Sequence, residues 1–167
     1  MAGRFARWFA HRSTGAGQVK RRFDAAAMAR IREAIVAAES GHAGEVRFAV
    51  EASLPGPKLR QHPDARSRAL EVFALLRVWD TEANTGVLLY LLWADHAIEI
   101  VADRGIAARV PQTAWDGVCA AIVEGLSAGR PVDAVVEGIC RIGGLLRAAL
   151  PPDTSTPDEL PDEPALL

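Results

Sequence analysis

The chain has 167 residues, half of them hydrophobic and 24% charged, which suits one globular domain with a full core and excludes a low-complexity or fibrous chain. A net charge of −2 argues against a dedicated nucleic-acid binder. The charge is uneven: residues 1–23 carry Arg4, Arg7, Arg12, Lys20, Arg21 and Arg22 and no acid, and residues 151–167 carry Asp153, Asp158, Glu159, Asp162 and Glu163 and no base. No uncharged apolar run reaches the ~18 residues of a spanning helix. RFARWFAHR lacks the continuous apolar stretch of a secretory signal, so a cytoplasmic, at most membrane-peripheral, location is expected.

In chain order, residues 1–10 predict a short amphipathic helix with Phe5, Trp8 and Phe9 on one face, suited to docking on the domain, on a protein partner or on a membrane surface. STGAGQ reads as a flexible linker, so residues 1–23 form a basic extension. Asp24 caps a helix over about 25–40, with Phe23 and Met28 placed as a hydrophobic staple and Gly41 as its stop. GEVRFAVEA (44–52) alternates as a half-buried strand. SLPGPKLRQHP reads as a loop, and Asp64 caps a helix over 65–78 whose broad apolarity predicts cover on more than one side.

TGVLLYLLW (85–93) has no alternation, as expected of a central strand covered on both faces. A turn at 94–95 returns the chain as HAIEIVAD (96–103). Two helices follow, to about 127 and from Pro131 to about 150, and Gly143-Gly144 in the second predicts close approach to a neighbour. Cys119 and Cys140 fall on apolar stripes and read as reduced core thiols. Cys140 and Arg147 are one residue too far apart for a cysteine phosphatase loop. The proline-rich acidic tail, 151–167, reads as disordered or loosely docked. The order α-β-α-β-β-α-α over residues 24–150 predicts a three-layer α/β/α sandwich around a small mixed β-sheet.

A tight hairpin would set Glu99 opposite Tyr90 and Asp103 opposite Gly86. Asp103 then lies beside the polar joint Asp80-Thr81-Glu82-Ala83-Asn84, with His42 and Glu45 nearby if the first strand is parallel. Clustered oxygen ligands suit Ca or Mg. Equally, Asp80 and Asn84 can tie off backbone groups, with Arg104 paired to a neighbouring carboxylate. Glu99, a charge within a strand, predicts a solvated edge, a pair with Arg47 or a polar pocket. The histidines form no metal-ligand pattern, and no phosphate loop, dinucleotide motif or serine elbow is present, so no organic cofactor is expected.

AGEVRFAVEASL followed by ALEVFALLRVWDTEANTGVLLYLLWADHAIEIVADRGIAARV resembles the TPM domain family, in particular its short bacterial members, over roughly residues 24–163. The most specific parts are Asn84, Gly86, Val87, Leu88 and Tyr90 at the strand start, and the IEIVADRGI return. Relatives commonly have Asn-Gly where this chain has Thr85-Gly86. The resemblance implies an α/β/α sandwich, includes a thylakoid-lumen member described as an acid phosphatase, and includes calcium binders. It implies a metal site at Asp80, Asn84 and Asp103, and assigns no catalytic residue. The expected function is a non-catalytic, cation-stabilised binding module acting through an unknown protein partner or a membrane surface at residues 1–10. The alternative is a low-turnover, metal-assisted acid phosphatase.

Overall fold

A computed structural model describes residues 2–153 and 157–167, with side chains from residue 6 onward. The side chains of Arg4 and Phe5 therefore lie outside the described residues. The elements run α1 (Ala2–Ser13), α2 (Ala16–Arg22), α3 (Ala25–Glu39), β1 (Glu45–Glu51), α4 (Gly56–Gln61), α5 (Ala65–Leu75), β2 (Gly86–Leu92), β3 (Ala97–Ala102), α6 (Arg104–Ala107), α7 (Gln112–Ser127), α8 (Pro131–Ala149) and β4 (Ala165–Leu166).

β2 is apolar without interruption because both its faces are covered. Val87, Leu89 and Leu91 join Val46, Phe48, Val50, Ile98 and Ile100 beneath α3, α7 and α8. Leu88, Tyr90 and Leu92 join Ala49 and Val101 beneath α5. This is the expected three-layer sandwich. The sheet order is β3-β2-β1-β4, with β1 parallel to β2 and β4 and with β3 antiparallel to β2.

The hairpin closes as its arithmetic requires, pairing Tyr90 with Glu99, while the Asp103 amide donates to the Gly86 carbonyl at 2.9 Å. One 3-10 turn, Trp93–Asp95, makes the bend, and His96 leaves it in the left-handed conformation at φ 49°. Asp24 caps α3 by accepting from the Ala27 amide, and Asp64 caps α5 by accepting from the Ser67 amide. The close approach expected at Gly143-Gly144 belongs to Gly143, where a Cβ would sit 2.8 Å from the Ala38 Cα of α3; at Gly144 the space is open.

Several expectations change. STGAGQ leads into α2, whose Val19 is fully buried. The segment after Ser53 holds α4. α5 ends at Leu75, and Leu70 and Leu75 are exposed, so its broad apolarity does not mean cover on every side. Cys140 is exposed and Cys119 half-buried. Glu99 pairs with Arg66 at 3.6 Å, not with Arg47. The acidic tail is docked where described: Leu160 is buried, and β4 pairs Ala165 with Ala49 and Leu166 with Val50.

α1 is docked on the 3-10 turn. Arg7 Nε donates to both Asp95 oxygens, at 2.9 and 3.1 Å, and Arg7 Nη1 donates to the carbonyls of His62 and Pro63. His11 Nδ1 accepts from the Leu54 amide at 2.7 Å, so the ring proton lies on Nε2, which donates to Asp95 at 2.9 Å. Among the described residues no helix is long and apolar enough to cross a membrane.

Candidate functional site

The parallel pairing of β1 and β2 sets Glu45 level with Gly86, and the antiparallel return of β3 brings Asp103 to the same end of the sheet. This end, the foot, also receives the joint from α5 to β2. Arg77 and Asn84 both turn through left-handed conformations, at φ 54° each. The foot has no room for side chains at two glycines. A Cβ on Gly86 would overlap the Val78 carbonyl oxygen, and one on Gly105 would sit 2.5 Å from the carbonyl oxygens of Ala83 and Asn84. The Gly105 amide donates to the Asn84 carbonyl at 2.9 Å, locking the two loops together.

The expected site residues are only partly gathered. Asn84 and Asp103 are neighbours through Arg104, whose Nε donates to Asn84 Oδ1 at 3.1 Å and whose amide donates to Asp103 Oδ1 at 2.7 Å. Asp103 Oδ2 is buried with no hydrogen-bond partner. Asp80 is turned to Arg77 at 2.6 Å, in the exposed turn after α5. Thr81 Oγ1 accepts from the Thr85 amide at 3.0 Å, and Thr85 Oγ1 donates to the Ala43 carbonyl, so both joint hydroxyls serve the backbone. Glu82 offers its amide, not its carboxylate, to Glu159 at 2.8 Å.

A second acidic group at the foot is built by the docked tail. Glu39, Asp158 and Asp162 each place an oxygen within 4.8 Å of the others. Glu39 Oε1 also accepts from the Val46 amide at 2.6 Å. Burial, opposed by that hydrogen bond and aided by the charges of Glu45 and Asp162, pushes the Glu39 carboxyl up to about 9. Burial likewise raises Glu45 to about 7, although its carboxylate accepts from the Leu160 amide at 3.2 Å. Arg47 faces the same group and donates to the carbonyls of Pro161 and Glu163. Burial lowers its pKa while the charges of Glu163, Asp162 and Glu39 support it. The Arg47 guanidinium and the raised Glu39 carboxyl sit against the Asp158 and Asp162 carboxylates and the tail carbonyls, which makes this group a clasp for the tail.

A third polar set is buried in the layer between β1 and α5. Arg68, 2% exposed, grips Glu51 with two parallel bonds of 2.8 and 3.0 Å. The Tyr90 hydroxyl donates to the same carboxylate at 2.7 Å, and Arg68 reaches on to Glu71, which also pairs with His62 at 2.7 Å. Burial, then the Glu51 charge, drives the Tyr90 phenol far above its ordinary value. Sequence reading missed this set and the clasp. One signal was available. Glu45, Arg47 and Glu51 lie in a strand beside a doubly covered one, so their side chains need buried partners rather than water.

A four-stranded mixed sheet between helical layers, carrying an acidic foot around an Asn84–Gly86 strand start, defines an α/β/α domain of one recognisable kind. The TPM domain family matches residues 20–145, and the chain belongs to that family. The chain is similar to the BA42 protein of the psychrophilic bacterium Bizionia argentinensis, known from an NMR structure. The two share 30% identity at a TM-score of 0.75, over 85% of this chain and 93% of that one. A solution NMR structure of the N-terminal domain of a protein from P. gingivalis shares the fold at 17% identity and a TM-score of 0.60, covering 76% of this chain and 78% of that one. No curated protein matches the chain.

Proposed function

We propose that this TPM domain protein is a non-catalytic binding module whose foot takes one hard cation, calcium or magnesium, through Asp103 with Asn84, and that Asp80 joins them only by leaving Arg77. The observation that supports this reading is the buried, unpartnered Asp103 Oδ2. A buried charged oxygen without a partner costs more than the ~1–3 kcal/mol of a neutral group, and a hard cation with oxygen ligands removes that cost. Arg104 on Asn84 and Arg77 on Asp80 already neutralise part of the foot, so the affinity is expected to be weak. The non-catalytic part of the reading is supported by Thr81 and Thr85, whose hydroxyls are both used by the backbone.

Calorimetric titration and thermal unfolding with Ca²⁺ and with Mg²⁺ test the cation. Asp103→Asn is the variant of choice, because it keeps an oxygen for the Arg104 amide and removes the charge. Expected are binding heat and a rising Tm in the parent, both lost in the variant; a free cation at 100 times Kd adds about 2.7 kcal/mol. An unchanged Tm in the parent sinks the cation. A phosphomonoester panel run in the same buffers, with and without chelator, is expected to show no turnover. Cation-dependent turnover abolished in Asp103→Asn would transfer the assignment to a metal-assisted phosphatase.

A further inference from the structure

We infer that the α1–α2 segment is a docking surface for an anionic lipid bilayer. Three features of one end of the molecule carry this. The first is a pair of exposed aromatic rings. Trp8 and Phe9 are 40% and 64% exposed and pack edge to face at 5.2 Å, so the chain holds two apolar rings together in water. α1 is not free to turn them inward. Arg7 and His11 on its inner side are tied to Asp95, and His11 is also tied to Leu54.

The second feature is unopposed positive charge. Arg12, Lys20, Arg21 and Arg22 are exposed, form no ion pair among the described residues, and lie in a stretch, residues 1–23, that contains no acidic residue. Arg12 lies over the Trp8 ring at 5.0 Å, so the aromatic pair carries a cation at its rim. Basic side chains are attracted to an anionic leaflet, and aromatic rings beside them seat at the headgroup level.

The third feature is shape. Arg21 and Arg22 line a cleft of about 250 Å³ with Gln18 and Trp93. Trp8 and Arg12 line another of about 220 Å³ with Ser53, Pro55 and Leu59. Both flank the 3-10 turn that α1 grips and are open to solvent. Such shallow basic hollows suit mobile phosphodiester headgroups better than a close-fitting protein knob.

The full-length chain is to be sedimented with vesicles of phosphatidylcholine alone and of phosphatidylcholine mixed with phosphatidylglycerol. Binding is expected to the mixed vesicles only, weakening as salt rises, with a blue shift of tryptophan emission that Trp8→Phe reduces. The double change Arg21→Glu and Arg22→Glu is expected to lower partitioning at least about tenfold. Trp8→Ser with Phe9→Ser is expected to do the same by removing the rings. These four side chains are exposed, so an unchanged Tm in the arginine pair shows that loss of binding is not loss of fold. Equal pelleting with both vesicle types, no pelleting at low salt, or full pelleting of the arginine pair would each overturn the inference. The second of these would leave a protein partner as the occupant.

Discussion

At the scale of single residues, the foot depends on two glycines and the layer beneath α5 on one carboxylate. Gly86→Ala puts a methyl group against the Val78 carbonyl, which is backbone and cannot swing aside. Overpacking of this kind costs ~1–3 kcal/mol or more, and urea denaturation should place the loss at the top of that range. Glu51 is held by Arg68 and Tyr90 together, so the two partners should not fail alike. Arg68→Ala strands a buried charge and should cost ~3–5 kcal/mol, while Tyr90→Phe removes one of the donors to it and should cost less, ~1.5–3 kcal/mol. Equal losses in denaturant titrations would contradict the arrangement. The Gly86 position was legible in the sequence as part of a strand start. The Arg68–Glu51 pair was not, because helical and strand periods mark which residues face inward without saying which polar ones meet.

Among the elements, the tail is the one whose behaviour the sequence hid. Prolines and acids at 151–167 lack the period of a helix or a strand, and two paired residues in β4 are too few to leave one. What fixes the tail is the buried Leu160 side chain, the Leu160 amide donated to Glu45, the Pro161 and Glu163 carbonyls that accept from Arg47, and the Asp158 and Asp162 carboxylates beside Glu39. Deleting residues 157–167 removes a buried leucine, worth ~1.5–3 kcal/mol, and uncovers the edge of β1. A lower Tm and concentration-dependent self-association are expected, the second measured by analytical ultracentrifugation.

The clasp also predicts a pH dependence. Folding raises Glu45 from 4.5 to about 7 and Glu39 from 4.5 to about 9, so the folded state holds more protons than the unfolded chain between those values. Their contribution is therefore complete below about 4.5 and is lost as pH rises through about 7 and then about 9. Denaturation midpoints should decline from pH 6 to pH 9 in the parent. Glu39→Gln should flatten the upper part of that decline; an unchanged slope would remove Glu39 from the clasp. By contrast β2, β3 and their register were fully legible, since an unbroken apolar run and a short turn leave one pairing that buries both strands.

Across the whole molecule, the uneven charge of the sequence becomes a separation in space. The basic segment before residue 23 packs at the far end of β1 and β2, and the acids after residue 157 clasp their foot. A seven-residue strand lies between them, about 20 Å at the usual rise. Of residues 6–15, Arg7 and His11 make polar contacts with Asp95 and Leu54, whereas Val19 and Phe23 are core residues at 0% and 3% exposure. Removal of residues 1–15 should leave a folded domain with a modestly lower Tm. Removal of 1–23 should cost a further ~3–6 kcal/mol, from two buried side chains at ~1.5–3 kcal/mol each. Calorimetry of the two truncations checks this.

The mixed sheet also makes the β2–β3 hairpin a ruler. Asn84 and Asp103 sit at one end of it, and their spacing is set by how many residues turn the corner at the other. One residue added at 93–96 cannot be absorbed locally without a bulge. If the register slips instead, every side chain of β3 changes face and Asp103 loses its place beside Gly86. In a homologous lineage, insertions should therefore accumulate between β1 and α5, where the chain crosses open surface, and be purged from the far corner of a hairpin whose foot they never touch.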